Sequence, residues 1–138
     1  MKSNHQQRYG QFMTEDSMAA KILHVIDNKC RIGGKILEPS FGKGSFIKRL
    51  VDTYDFDKVD GFEIDPDLYS QVTFGRDNVR LYRNDFLLSC ILEKYDHVVG
   101  NPPFVEIKYS YYSPELIRKF KKIYKNISDG RLNLEFSN

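Results

Sequence analysis

A chain of 138 residues is long enough for one domain with a real core and too short for two, and its 41% hydrophobic and 29% charged content is ordinary for a soluble globular protein. A net charge of +2 is too small to indicate a nucleic-acid partner by itself. No apolar run approaches the roughly 18 residues of a membrane span, the polar start from Met1 to Arg8 has no signal-peptide pattern, and Cys30, Cys90, His5, His24 and His97 are too scattered for a zinc site or a disulfide framework. The expectation is a cytoplasmic protein with no membrane partner and no metal.

Residues 1–9 read as a loose polar lead-in. Thr14 is the expected N-cap of a first helix, with Glu15 and Asp16 complementing its positive end. Met18, Ala19, Ile22, Leu23 and Ile26 recur at helical spacing, and the helix ends between Asn28 and Gly34. Lys35-Ile36-Leu37-Glu38-Pro39 reads as a short strand. It runs into Ser40-Phe41-Gly42-Lys43-Gly44-Ser45, after which Phe46, Ile47, Leu50 and Val51 mark the buried face of a second helix. Strand, Gly-x-Gly loop and helix together begin a mononucleotide-binding unit.

A second strand over 58–64 delivers Glu63 and Asp65 at its carboxyl end. Glu63 follows the loop by about twenty residues, the separation at which an acid can grip ribose hydroxyls. Asp67 to Gln71 opens a third helix, and a third strand over 79–82 leads into Asn84-Asp85-Phe86. A short apolar helix is expected from Leu88 to Leu92. The fourth strand, Tyr95 to Val99, is stopped abruptly by Gly100-Asn101-Pro102-Pro103-Phe104. Strands alternating with helices predict an α/β fold with a parallel sheet, and in such sheets ligands bind at the carboxyl ends of the strands.

The glycine loop is not a P-loop, because Leu37 stands where the first glycine would be. It also lacks the third glycine or alanine of a dinucleotide fingerprint, since Ile47 occupies that place. A ligand held by ribose and adenine contacts, with no phosphate at the loop, fits better, and S-adenosylmethionine is such a ligand. A plain tight turn is the alternative.

Asn-Pro-Pro-Phe has its own chemistry. Asn101 offers a side-chain carbonyl, Pro102 a backbone carbonyl that Pro103 helps to fix, and Phe104 a flat apolar face. Two rigid acceptors beside a stacking platform suit a planar NH2 group. Holding both hydrogens favours a pyramidal nitrogen whose lone pair can attack. A proline-rich strand exit that merely turns the chain would look the same in isolation.

Taken together, these stretches resemble the S-adenosylmethionine-dependent amino-methyltransferases, most closely the DNA adenine-N6 methyltransferases of restriction-modification systems. The resemblance rests on five segments in the family's order. Gly10-Gln11-Phe12-Met13-Thr14 resembles the segment that contacts the methionine part of the cofactor, with Glu15 where a proline often follows. Glu38-Pro39-Ser40-Phe41-Gly42-Lys43-Gly44-Ser45-Phe46 resembles the cofactor loop, and Glu63-Ile64-Asp65 the ribose-binding acid segment. Asn84-Asp85-Phe86 resembles the turn at the cofactor's adenine, and Asn101-Pro102-Pro103-Phe104 the catalytic segment that receives a flipped base. The resemblance implies a Rossmann-like methyltransferase fold. It places Gln11, Phe12, Thr14, Glu38, Pro39, Ser40, Gly42, Gly44, Phe46, Glu63, Ile64, Asp85, Phe86 and Asn101 at the cofactor, and Asn101, Pro102, Pro103 and Phe104 at the chemistry. Phe12 and Phe86 also read as ordinary core, and Asp85 as a helix cap.

After Phe104, Tyr109, Tyr111 and Tyr112 mark a loop, and Ser113-Pro114-Glu115 starts a helix with Leu116, Ile117, Phe120, Ile123, Tyr124 and Ile127 on one face and lysines on the other. That basic face fits a DNA backbone or plain solvation. By the resemblance, residues 10–104 hold the cofactor and catalytic segments, 105–138 the aromatic loop and basic helix, and the DNA-reading domain is absent. In a strand order like the family's 3-2-1-4-5-7-6, a chain ending after its fourth strand leaves that strand at an open edge. The expectation is a truncated or split enzyme that acts on a flipped adenine in DNA and meets a second polypeptide, or a second copy, across that edge. A protein glutamine N5-methyltransferase and a non-catalytic cofactor-binding remnant are the alternatives.

Overall fold

The computed structural model describes residues 12–89, 91–102, 113–116 and 118. The chain divides into two compact units, Met13–Pro102 and a second made of Met1–Phe12 with Pro103–Asn138. In the second unit the backbone is helical at 114–116, and the Leu116 N–H donates to the Ser113 hydroxyl at 3.2 Å, the cap expected from Ser-Pro-Glu. The lysine-rich face, Tyr109, Tyr111 and Tyr112 lie outside the described residues, as do Gln11, Pro103 and Phe104.

The unit Met13–Pro102 opens with helix α1, Asp16–Cys30, followed by β1, Lys35–Glu38, and α2, Ser45–Thr53. Next come β2, Lys58–Glu63, a six-residue helix α3, Pro66–Gln71, and β3, Val79–Arg83. A single 3-10 turn, Phe86–Leu88, precedes the two-residue strand β4, His97–Val98. The four strands lie in the order β3-β2-β1-β4, and every pairing is parallel. The chain builds outward from β1 to β3 and then returns to the other side of β1, so the sheet's topological switch point falls between β1 and β4.

Register and pleat divide the side chains between two faces. Ile36 is level with Val59 and Val59 with Val79, so these share a face with Glu38, Gly61 and Leu81, while Leu37, Asp60 and Arg80 share the other with Phe62 and Tyr82. On the first face Ala19 and Leu23 of α1 and Phe46, Ile47 and Leu50 of α2 form the core with Ile36, Val59 and Val99. Gly61 makes space for this packing, since a Cβ there would lie 2.7 Å from Ile47 Cδ1 and 2.9 Å from Leu81 Cδ2 and would force them to shift. Burying that stripe of aliphatic side chains, at roughly 1.5–3 kcal/mol each, is what holds these two helices on the sheet.

Several local expectations need correcting. Helix α1 is capped at Glu15, without a side-chain bond, and not at Thr14, whose carbonyl is taken by the Ser45 hydroxyl at 2.8 Å. The turn after Asp85 stops at Leu88 and does not become a helix to Leu92. Asp85 O already accepts from the Leu88 and Ser89 N–H groups and from the Ser89 hydroxyl, which closes the turn, and Leu92 is 97% exposed. On the fourth strand, expected at an open edge, Val98 is 64% exposed, but Val99 points to the helical face and is buried.

Candidate active site

The loop after β1 is shaped by its own backbone. Gly42 and Gly44 have φ of 56° and 79°, a region costly for any residue with a Cβ. They let the chain fold back so that Gly44 N–H reaches Phe41 O at 2.7 Å, while Phe41 N–H reaches across to Phe62 O at 2.9 Å. Gly44 is also the N-cap of α2, which places the loop at the positive end of that helix. The amino-terminal segment meets the same loop. Besides the Thr14 to Ser45 bond, the Met13 sulfur lies where it would be 3.0 Å from a Cβ on Gly42.

Two acids stand at the carboxyl ends of the neighbouring central strands. Glu63 ends β2, is buried, and accepts from Gly42 N–H through Oε2 and from Asp65 N–H through Oε1, both at 2.8 Å. It therefore braces the glycine loop against the turn that begins α3. Burial pushes its carboxyl above the ordinary range, and the surrounding N–H groups oppose that shift. Glu38 ends β1 and is only 1% exposed. Burial holds its carboxyl well above the ordinary range; the Ile47 N–H works against this and the Glu63 charge adds to it. Among the described residues, Glu38 Oε2 meets no hydrogen-bond donor or acceptor.

Beyond β3, Asp85 accepts from Leu87 N–H at 2.9 Å through Oδ1, so it caps the turn. Phe86 follows, half-buried, its ring edge-on to Phe62 with centroids 5.6 Å apart. On the other side of the switch point, Val99 N–H donates to Leu37 O at 2.9 Å, and the Ser40 hydroxyl donates to Asn101 O at 3.5 Å. The fold thus brings the Asn101-Pro102 end of β4 beside the Pro39-Ser40 start of the glycine loop.

Within Met13–Pro102 the structure therefore gathers Thr14, Ser40, Gly42, Gly44, Glu38, Glu63 and Asn101 around the carboxyl ends of β1, β2 and β4. Asp85 and Phe86 stand at the end of β3. Pro39 and Ile64 are half-buried beside them, and Phe46 is a core residue at the foot of α2. Phe12 is 54% exposed. Met13, which sequence reasoning did not single out within its segment, sets its sulfur against Gly42 of the loop.

No family model matches the chain. In sequence it is similar to the modification methylase CviBIII of Paramecium bursaria Chlorella virus NC1A, 32% identical over 101 residues, which cover 71% of this chain and 26% of that protein. The type II methyltransferase M.AccI of Acinetobacter calcoaceticus is 25% identical over 134 residues, 94% of this chain and 24% of its own length. M.HincII of Haemophilus influenzae is 30% identical over 100 residues, 72% of this chain and 18% of its own length. The chain spans about a quarter or less of the length of these relatives. In fold it resembles PH1948 from Pyrococcus horikoshii, a protein assigned to the RNA methyltransferases, with a TM-score of 0.60 and 16% identity over 84% of this chain and 70% of that one. CalS10, an amino pentose methyltransferase from Micromonospora echinaspora whose structure contains bound S-adenosylmethionine, matches with a TM-score of 0.52 and 18% identity over 67% of this chain and 38% of its own. The fold is that of the Rossmann-like S-adenosylmethionine-dependent methyltransferases.

Proposed function

We propose that this chain, which is related in sequence to type II DNA methyltransferases, is the cofactor-binding and catalytic portion of an enzyme that methylates the N6 amino group of adenine in DNA. The observation that carries the reading is the meeting of two segments at the switch point: Asn101 of the Asn-Pro-Pro-Phe segment lies within 3.5 Å of Ser40 at the start of the glycine loop. A methyl donor and an amino acceptor must come together at one place, and the approach of these segments at the switch point, where parallel sheets take ligands, supports this one.

The residues suit S-adenosylmethionine. The glycine loop lies at the positive end of α2, Glu63 closes β2 as an acceptor for ribose hydroxyls, and Glu38 Oε2 is a buried polar atom without a partner among the described residues. Asp85 and Phe86 would hold the adenine end, and Thr14 with Phe12 and Gln11 the methionine end. Bound there, the cofactor supplies an electrophilic methyl group on a positively charged sulfur.

The chain's own contribution is to hold the acceptor. An exocyclic adenine nitrogen is a poor nucleophile because its lone pair is delocalised into the ring. Asn101 Oδ1 and the Pro102 carbonyl would accept its two hydrogens and draw the nitrogen toward a pyramidal shape, with Phe104 stacked on the base. Reaching that position requires the base to leave the duplex. The residues that read a DNA sequence are expected in polypeptide beyond the segment that aligns with the relatives.

Isothermal calorimetry of the chain with S-adenosylmethionine, with Asp85→Ala as control, tests the cofactor half. Saturable binding that the substitution abolishes is the expected result, and no binding by well-folded wild-type protein would refute it. Nucleoside analysis of methylated DNA tests the rest: N6-methyladenine is expected, whereas a methylated cytosine, or transfer only to a protein glutamine, would overturn the assignment.

A further inference from the structure

Strand β4 carries the Asn101-Pro102 segment, yet it is only two residues long and pairs on one side with β1 among the described residues. Two backbone bonds frame it, Asp96 N–H to Lys35 O at 2.8 Å and Val99 N–H to Leu37 O at 2.9 Å. So short a ladder specifies register weakly. The connection that enters β4 is instead held by side chains on the sheet face away from α1 and α2. The Tyr95 hydroxyl donates to Asp60 Oδ2 at 2.7 Å, and Asp60, on β2, is 2% exposed. Lys58 Nζ bridges Asp60 Oδ2 at 2.7 Å and Glu93 Oε2 at 2.6 Å, and Lys35 Nζ reaches Glu93 Oε1 at 2.9 Å. Asp96 Oδ2 accepts from Lys35 N–H at 2.8 Å and fills the space that a Cβ on Gly34 would need.

We propose that Asp60 and Tyr95 are positioning residues that fix the height of β4 against β1 and β2, and through it the reach of Asn101 and Pro102 toward the substrate amino group. The proposal rests on the methyl-transfer reading above for its chemistry, but not for its structural half. A buried carboxylate is an expensive way to hold a sheet together, since an apolar side chain would fill the same place without the loss of hydration. What a carboxylate adds is direction: Tyr95 meets Asp60 in one register only. A slip of one residue would carry Asn101 about 3.3 Å along the strand, beyond hydrogen-bond reach of any target that it now meets. The same carboxylate also faces the Tyr82 hydroxyl at 3.5 Å. Tyr82 stacks on Phe62 with centroids 4.8 Å apart, and Phe62 holds the edge of Phe86. Asp60 thus touches the supports of both halves of the site without lining it.

Tyr95→Phe removes one hydroxyl, and Asp60→Asn keeps an acceptor of the same shape while breaking the charge pair with Lys58. Amide hydrogen exchange of the whole chain reads the structural half without any ligand. In both variants protection at Val99 and Asp96 is expected to fall about tenfold while the β1–β2 amides are unchanged. In methyl-transfer assays, affinity for S-adenosylmethionine is expected to stay within about twofold and turnover to fall at least tenfold, as misplacement of reacting groups by an ångström can cost about a hundredfold. Unchanged protection at Val99 in both variants, or an even loss across all strands, overturns the proposal, as does selective loss of protection with undiminished turnover. Wild-type protein without methyl transfer would count against the proposed function alone, and the exchange result would still decide whether this pair fixes β4.

Discussion

Glu38→Gln separates the charge of a buried side chain from its shape. Glu38 is 1% exposed, takes one backbone N–H, and has Glu63 as its nearest charged neighbour of consequence, so the folded protein keeps it protonated well above the ordinary carboxylate value of 4.5. The sign follows from linkage. Below pH 4.5 both folded and unfolded chains hold this proton, and the stability associated with it is fully present. Above that value the unfolded chain releases the proton and the folded chain does not, so stability declines until the pH has passed the raised folded value. One proton corresponds to about 1.4 kcal/mol per pH unit within that window. Glutamine copies the neutral acid's shape and does not titrate. Glu63, raised for the same first cause, slopes in the same direction but is present in both proteins and largely cancels in the difference. Glu93, drawn down to about 2 by hydrogen bonds from Lys58 and Lys35, acts in the opposite sense and below this window: its contribution is present above pH 4.5 and is lost as pH falls toward 2. Urea unfolding followed by circular dichroism, at unit intervals from about pH 5 upward, should show the variant gaining stability on the wild type as pH rises, until the pH has passed the raised folded value of Glu38. Parallel curves for the two proteins would refute the assignment of a neutral Glu38.

Gly44→Ala should cost about 1–2 kcal/mol in the same unfolding assay, because φ is 79° and the new Cβ would sit 3.0 Å from Val72 Cγ1; calorimetry should show weaker binding of S-adenosylmethionine, and unchanged affinity would remove the loop from the site. Val98→Glu should leave the fold intact and reduce self-association in sedimentation velocity, since Val98 is a 64% exposed apolar residue on a strand that hydrogen-bonds on one side among the described residues; a wild-type protein that is already monomeric at high concentration would overturn the open-edge reading.

What could be read from the sequence was local. The β1, loop and α2 segment announces itself because two glycines closely following a strand leave few backbone choices, and because Phe46, Ile47 and Leu50 repeat at helical spacing; all three are buried. The acids at the strand ends were visible for the same reason, since a charge closing an apolar run has little else to do. Leu88 and Leu92 misled because their spacing is helical, whereas the Asp85 and Ser89 bonds end the turn first. The function of Tyr95 was not legible at all. Its partner Asp60 lies 35 residues earlier, and no local pattern of types or spacing links them.

The two halves of the site are consequently held by different means. The glycine loop owes its shape to backbone geometry and to N–H groups collected by Glu63, so it should tolerate changes on the far face of the sheet. The Asn101-Pro102 segment owes its place to side chains on that far face, where Asp60, Lys58, Glu93 and Tyr95 meet. Substitutions in the loop should therefore act on cofactor affinity, and substitutions in the network on turnover. Because Asp60 and Glu63 belong to one six-residue strand, β2 is the element through which a disturbance of either half would reach the other.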